Sequence, residues 1–300
     1  MHTFRITYRI KTGPEEPIDQ KIEKICLEQS AELPRHLLSD DLAEKVVGQP
    51  VAREQLEQNC HSVHIEWPLA NIGGEITNFL NILYGNISLQ PGIQITDAGW
   101  SALADQCFEG PSLGVDKIRE KFNLESRAIT CTALKPMGLS PGQLADFCYR
   151  FAKGGIDIIK DDHGLANQSY APFEGRVGAC VEAVQKAAEH TGRRSYYFPN
   201  ITAPADTAED RYKTAAQMGA DGVLFCPHIT GLEMLHRLAR LNIDLPVMAH
   251  PAFSGSLTTV EGRGFTPAFY MANWRALGAD FVIYPNTGGR FSFTEKDASL

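Results

Sequence analysis

Between Gly154 and Gly164 the chain reads GGIDIIKDDHG, and four ionisable residues in a row, Lys160, Asp161, Asp162 and His163, close an apolar run. Side chains alternate along a strand, so Lys160 and Asp162 point together and Asp161 points away. His163 falls past the strand, where the chain turns at Gly164. Two donors two residues apart, with a neighbour on the turn, suit one hard cation. An ammonium is no metal ligand. Lys160 could ligate as an amine, or after CO2 adds to form a carbamate, which behaves as a carboxylate. A lysine paired with an aspartate at a strand end explains the same residues without metal, and spacing alone leaves both readings open.

Other chemistry-bearing residues also stand where apolar runs end. Lys135 precedes Pro136 and could bind a substrate oxygen, act as a base, or pair with Asp161 or Asp162. Asn200, in FPNITA, has an amide that could orient substrate or a metal-bound water, or simply shape the turn before the next helix. His250 could hold a substrate hydroxyl or phosphate, and His228 follows another run. The glycine-bearing stretches GRGF (262–265) and NTGGR (286–290) are weak phosphate signals on their own.

The elements that must position these residues fall into two textures. Over the first ~100 residues TFRITYRI (3–10) alternates as a strand, and IDQKIEKICLEQS (18–30) has helical spacing. HSVHIEWPL reads as a strand, EITNFLNILYG as a helix stopped at Gly85, and GIQITDAGW as a strand. The expected product is an α+β module of ferredoxin-like type, an antiparallel sheet with helices on one side. From about residue 127, short apolar strands alternate with helices in six units, which argues for parallel strands with right-handed crossovers. Polar residues recur at all six strand ends. A (β/α)8 barrel gathers all its strand ends on one face, whereas an open sheet gathers only those at its switch point. The barrel is therefore expected, with domains at 1–110 and 111–300. Eight strands close such a barrel and six are found, with Thr294 reading as the N-cap of a sixth helix. The barrel is thus expected to be incomplete after strand 6, and the chain to be poorly active alone.

Composition narrows the partners. Of 300 residues, 43% are apolar and 21% charged, and the formal net charge is −8 with no basic stripe, which argues against nucleic acid. No apolar run approaches the ~20 residues of a membrane span, and the N-terminus lacks a signal-peptide pattern. Seven scattered cysteines without CxxC spacing read as reduced thiols of a cytoplasmic protein.

GGIDIIKDDHG resembles the metal-site signature of the RuBisCO large-subunit superfamily, GG-apolar-D-apolar-x-KDDE. TALKPMGLSP (132–141) resembles that family's first barrel strand, FEGPSLGV (108–115) its entry into the barrel, NFLNILYGN (78–86) the segment whose asparagine reaches a partner subunit's site, and CLEQSAELP (26–34) the segment with its N-domain glutamate. The resemblance implies Mg2+ held by a carbamylated Lys160, Asp162 and residue 163. It further implies substrate contacts from Lys135, Asn200, His250, Asn86 and Glu28, and a homodimer in which Asn86 and Glu28 serve the partner's site.

Carboxylating members carry a Ser-Thr-Gly-Thr-Trp contact where this chain has QSAELP after Glu28. They carry His-Arg where it has His250-Pro251, and a lysine-bearing loop where it has NTGGRFSF with Arg290. The chain therefore resembles the non-carboxylating, form IV RuBisCO-like branch. AHPAFSGS (249–256) is similar to that branch's 2,3-diketo-5-methylthiopentyl-1-phosphate enolases, but the base lysine of those enzymes is absent near Asp105 and Gln106. His163 replaces the family's glutamate. Imidazole suits a divalent transition metal better than Mg2+, and His163 is otherwise an acid–base group. The implied chemistry is metal-assisted enolisation of a keto sugar phosphate, with Lys135, Lys160 or His163 as base. A catalytically inactive or shortened homologue and the methylthio enolase are the alternatives.

Overall fold

The structure, a computed structural model, describes all residues except 1, 105–107, 109, 125–126, 286, 288–290, 292 and 296–300. Its strands are β1 (Thr3–Lys11), β2 (Gln49–Glu57), β3 (Cys60–Pro68), β4 (Ile93–Ala98), β5 (Cys131–Leu134), β6 (Ile158–Asp161), β7 (Tyr196–Phe198), β8 (Val223–Phe225), β9 (Val247–Ala249), β10 (Gly264–Phe265) and β11 (Phe281–Val282). The chain forms two compact units. The first groups Met1–Glu109 with Ser254–Ala276 and the described residues from Pro285 on, and the second comprises Gly110–Phe253 and Leu277–Tyr284.

In the first unit the strand order is β10-β4-β1-β3-β2, and β1, β2, β3 and β4 pair antiparallel. Alternation in β1 buries Phe4, Ile6, Tyr8 and Ile10, and the register sets Phe4, Ile6 and Tyr8 opposite Trp67, Ile65 and Val63 of β3. Such directly opposed pairs on one face are what stabilise a sheet. Helix Ile18–Glu28 buries Ile22, Ile25 and Cys26, and helix Ile76–Tyr84 buries Phe79, Ile82 and Leu83. Both fall where apolar spacing places them.

A single division at 110/111 does not describe the contacts. Within GRGF, Gly264 and Phe265 form β10, which extends the sheet parallel to β4. Gly264 takes φ 80, and a Cβ there would lie 2.1 Å from the Leu257 carbonyl oxygen, so glycine is required. Helix Pro267–Ala276, expected as a crossover of the strand–helix repeat, groups with this unit. It buries Phe269, and Trp100 stacks on that ring at 5.5 Å.

In the second unit β5-β6-β7 and β8-β9-β11 are parallel and follow sequence order, and a parallel bridge from Asn200 to Leu224 links the two sets. The α/β alternation expected from the sequence is present. Helix Pro141–Lys153 follows β5 and starts with a capping box from Ser140 and Gln143, and helix Phe173–Thr191 follows β6 and ends at Gly192 with φ 69. Ile158, Phe198, Leu224 and Met248 from successive strands pack with Ile118 and Phe122 in one buried cluster. The middle strands β6 to β9 are buried throughout, while the outer strands β5 and β11 are partly exposed.

Candidate active site

The C-terminal ends of β5, β6 and β9 bring five of the expected residues together. Lys135 leaves β5, Lys160 ends in β6 with Asp162 and His163 just beyond, and His250 follows β9. The carboxylates of Asp161 and Asp162 diverge, as alternation predicts. Lys160 shares its electrostatic surroundings with Cys131, Asp162, Asp161 and Lys135. Asp161 turns the other way and is fully buried: Arg176 Nε donates to it at 2.9 Å and the Tyr197 hydroxyl at 2.7 Å. The middle acid of KDDH is therefore structural.

Asp162 meets Lys135 Nζ at 2.8 Å, the pairing weighed from the sequence for both residues. Burial works against its charge, but the Lys135 ammonium, His163 and the Gly164 N–H hold the carboxyl below its usual range. Gly164 is confined as well, since a Cβ there would lie 2.6 Å from Met137 Sδ.

The His163 ring stacks on His250, with centroids 4.4 Å apart and planes at 15°, and its Nδ1 lies 3.5 Å from Asp162 Oδ1. Burial, then the charges of His163 and Lys160, push His250 down to about 3, so it is neutral at ordinary pH. Its Nδ1 accepts from the Ala252 N–H at 3.1 Å, which leaves Nε2 carrying the proton as a donor. Burial lowers the Lys160 amine despite nearby Cys131, Asp162 and Asp161, and its Nζ donates to the Asp161 carbonyl at 3.2 Å.

Four other residues named from the sequence lie elsewhere or are otherwise engaged. Asn200 is buried, and its amide donates to the carbonyls of His163 (2.9 Å) and Leu165 (2.8 Å) and accepts from the Thr202 N–H (3.0 Å). That is the turn-shaping reading. Asn86 and Glu28 belong to the first unit, where the asparagine amide donates to the glutamate at 3.0 Å. His228 sits on the short helix Pro227–Thr230, its ring 5.6 Å from Phe253. Asp105, Gln106 and, in the 286–290 loop, Asn286, Gly288, Gly289 and Arg290 lie outside the described residues, as does most of the helix expected after Thr294.

Among the described residues no three His, Cys, Asp or Glu side chains converge on a metal position. The cluster supplies two such donors, Asp162 and His163. A carbamate on Lys160 would add a third, and burial favours the neutral amine that adds CO2. With that modification the donor set fits a divalent ion; without it the set falls short.

Sequence reasoning missed Arg176. Its signal is present, since an arginine stands on the apolar stripe of Phe173–Thr191 among buried Phe173, Val177, Cys180 and Val181.

Residues 114–297 match the family described as ribulose bisphosphate carboxylase large chain, catalytic domain. The chain belongs to that family, in its RuBisCO-like, form IV branch. Among curated proteins it is 36% identical over 293 residues to a 5-methylthioribulose-1-phosphate isomerase of Rhodospirillum rubrum, covering 97% of this chain and 77% of that protein. It is 34% identical to a 2,3-diketo-5-methylthiopentyl-1-phosphate enolase of Geobacillus thermodenitrificans, covering 79% of this chain but only 58% of that one. The crystal structure of a RuBisCO-like protein from Rhodopseudomonas palustris superposes with a TM-score of 0.90 at 33% identity, over 99% of this chain and 81% of that chain. No helix among the described residues is long and apolar enough to cross a membrane.

Proposed function

We propose that the chain enolises a phosphorylated keto sugar as an enolase- or isomerase-type enzyme of the cytoplasm, without fixing CO2. The observation that carries this reading is the meeting of Lys135, Lys160, Asp162, His163 and His250 at the ends of three parallel strands. We read the six-strand run as the first six strands of a (β/α)8 barrel, the sheet of the first unit as ferredoxin-like, and the assembly as a homodimer in which Asn86 and Glu28 serve the partner's site.

Asp162, Lys160 as its carbamate and His163 would hold the cation, Mg2+ or a softer divalent ion. A cation bound there supplies positive charge beside a ketone oxygen and so acidifies the neighbouring C–H. The protein's own groups divide the remaining work. Lys135, with Nζ 2.8 Å from the Asp162 carboxylate, is placed as a donor to substrate oxygen. His250 adds a neutral Nε2–H donor. His163, with Nδ1 turned to Asp162, offers the lone pair of Nε2, which takes the proton from the carbon beside the ketone when it is not spent on metal. Donors aimed at a developing oxyanion lower the barrier directly, and a placed base contributes about 10²–10⁴ in rate.

A second reading, a catalytically inactive homologue, is favoured by one feature: Lys135 leaves β5, an outer strand that is partly exposed. Incubation with bicarbonate, Mg2+ and a panel of keto sugar phosphates in deuterated water separates the two. Deuterium incorporation that disappears in Lys160→Ala is expected; no incorporation across the panel would count strongly for the inactive reading.

A further inference from the structure

We propose that Arg176 and Asn200 are positioning residues that hold the segment 162–171, and through it fix the aim of Asp162 and His163. The inference rests on the reading of this cluster as a reactive site. Arg176 is wholly buried, and its terminal nitrogens donate to the carbonyl oxygens of Ala171 and Ala166, each at 2.8 Å, while Nε takes Asp161 at 2.9 Å. Asn200, just past β7, holds the carbonyls of His163 and Leu165, and its backbone N–H donates to Asp161 at 2.9 Å. Four carbonyls of one segment are thus gripped by two buried side chains from separate elements, and Asp161 joins the grips. Gln168 closes the segment on itself, donating to the Gly164 carbonyl at 2.7 Å and accepting from the Ala166 N–H at 2.9 Å.

A fully buried ion pair seldom improves stability over apolar packing of the same shape. In this proposal the pair secures a single arrangement of the chain, and the chain so arranged carries Asp162 and the ring that stacks on His250. Outer partners of this kind typically change metal affinity about 10- to 100-fold when removed.

The test compares Arg176→Met and Tyr197→Phe with Arg127→Met. Arg127 also pairs with a buried aspartate of this strand region, Asp157, but before the strand begins. Amide hydrogen exchange is followed without metal, and Mn2+ binding by electron paramagnetic resonance with bicarbonate present. Arg176→Met is expected to exchange at least ten-fold faster over 162–171 while β8 and β9 stay protected, and to bind Mn2+ about 10- to 100-fold more weakly. Tyr197→Phe, which loses one hydrogen bond to Asp161, should show the same pattern more weakly, and Arg127→Met neither change. Unaltered exchange over 162–171 in a folded Arg176→Met chain, or equal loosening in Arg127→Met, overturns the proposal. Should Arg176→Met fail to fold, unaltered exchange in Tyr197→Phe does so. If the unmodified chain takes no Mn2+, the metal reading fails, and the exchange pattern alone decides the positioning role.

Discussion

Two buried aspartates bracket β6, and replacing each by asparagine should have unequal consequences. Asp157 accepts from Arg127 twice at 2.6 Å, from the Thr130 N–H and hydroxyl at 2.8 Å each, and from Arg193 at 3.3 Å. Among the described residues the Asp161 carboxylate accepts from Arg176, Tyr197 and the Asn200 N–H. Counting bonds makes Asp157→Asn the worse change, whereas desolvation makes Asp161→Asn worse. The Arg127 and Arg193 side chains are 43% and 50% exposed and can return to water, whereas Arg176 is 0% exposed and cannot.

An uncompensated buried charge costs about 3–5 kcal/mol. Hydrogen bonds lost around Asp157, with both arginines resolvated, amount to about 1–3 kcal/mol. The gap of about 2 kcal/mol corresponds to a further fall in Tm of roughly 4–8 °C for a domain of this size. Thermal unfolding at pH 7, followed by circular dichroism, reads it directly. Asp157→Asn melting at or below Asp161→Asn would show that bond number outweighs burial, and would refute the reasoning. Acidification adds a check. Asp157 is held well below the usual carboxylate range, first by the Arg127 bond. Its contribution is full above the unfolded pKa of about 3.9 and fades as pH falls through the lower folded value, so the wild type and Asp157→Asn should converge in strong acid.

Three other outcomes follow from the cluster. His250 is pushed down to about 3, so the stability linked to it is complete above the unfolded value of about 6.5 and lost as pH falls toward 3; His250→Gln should lose less Tm than wild type between pH 7 and 4.5, and an equal or steeper loss contradicts the assignment. His163→Glu restores the carboxylate usual in the family: if His163 ligates, Mg2+ affinity rises and isotope exchange survives, whereas if it is the base, exchange falls about 10²–10⁴-fold. Mixing Asn86→Ala chains with Lys160→Ala chains should return part of the exchange activity when neither alone has any; a mixture as inactive as its components rules out a site shared between subunits.

The sequence made the apolar framework readable because burial repeats at the period of each element. β1, β3, β4 and the helices Ile18–Glu28 and Ile76–Tyr84 lie where alternation or helical spacing puts them. β2 has no such signature. Every one of its nine residues is exposed, Pro50 interrupts it, and its pairing with β3 slips twice, so no buried face marks it. Those are the features that discourage further pairing at an edge, and a protected edge reads as a loop. Helix Asp40–Val46 was missed for a similar reason: it buries only Ala43, although Ser39 caps it. In the site, Lys135, Lys160, Asp162, His163 and His250 lie together because parallel strands bring their ends together whatever the intervening sequence. The same reasoning could not tell Asn200 from a substrate ligand, since an amide saturated by distant carbonyls leaves no mark on local spacing.

Arg176 exposes the limit of pattern reading and suggests how to extend it. A charge on the buried stripe of a helix conflicts with that helix's own periodicity, and natural chains keep such conflicts mainly where something other than stability is specified. The conflict is paired here with Asp161, which alternation alone turns away from Lys160 and Asp162. A reactive strand end with charges on both faces needs a partner for the hidden charge, and the next helix in a βαβ unit packs against that hidden face. An arginine near the start of the helix after such a strand meets that need. Three residues after Phe173, Arg176 stands at that place, so the brace for the site was encoded one element downstream of the residues that attract attention.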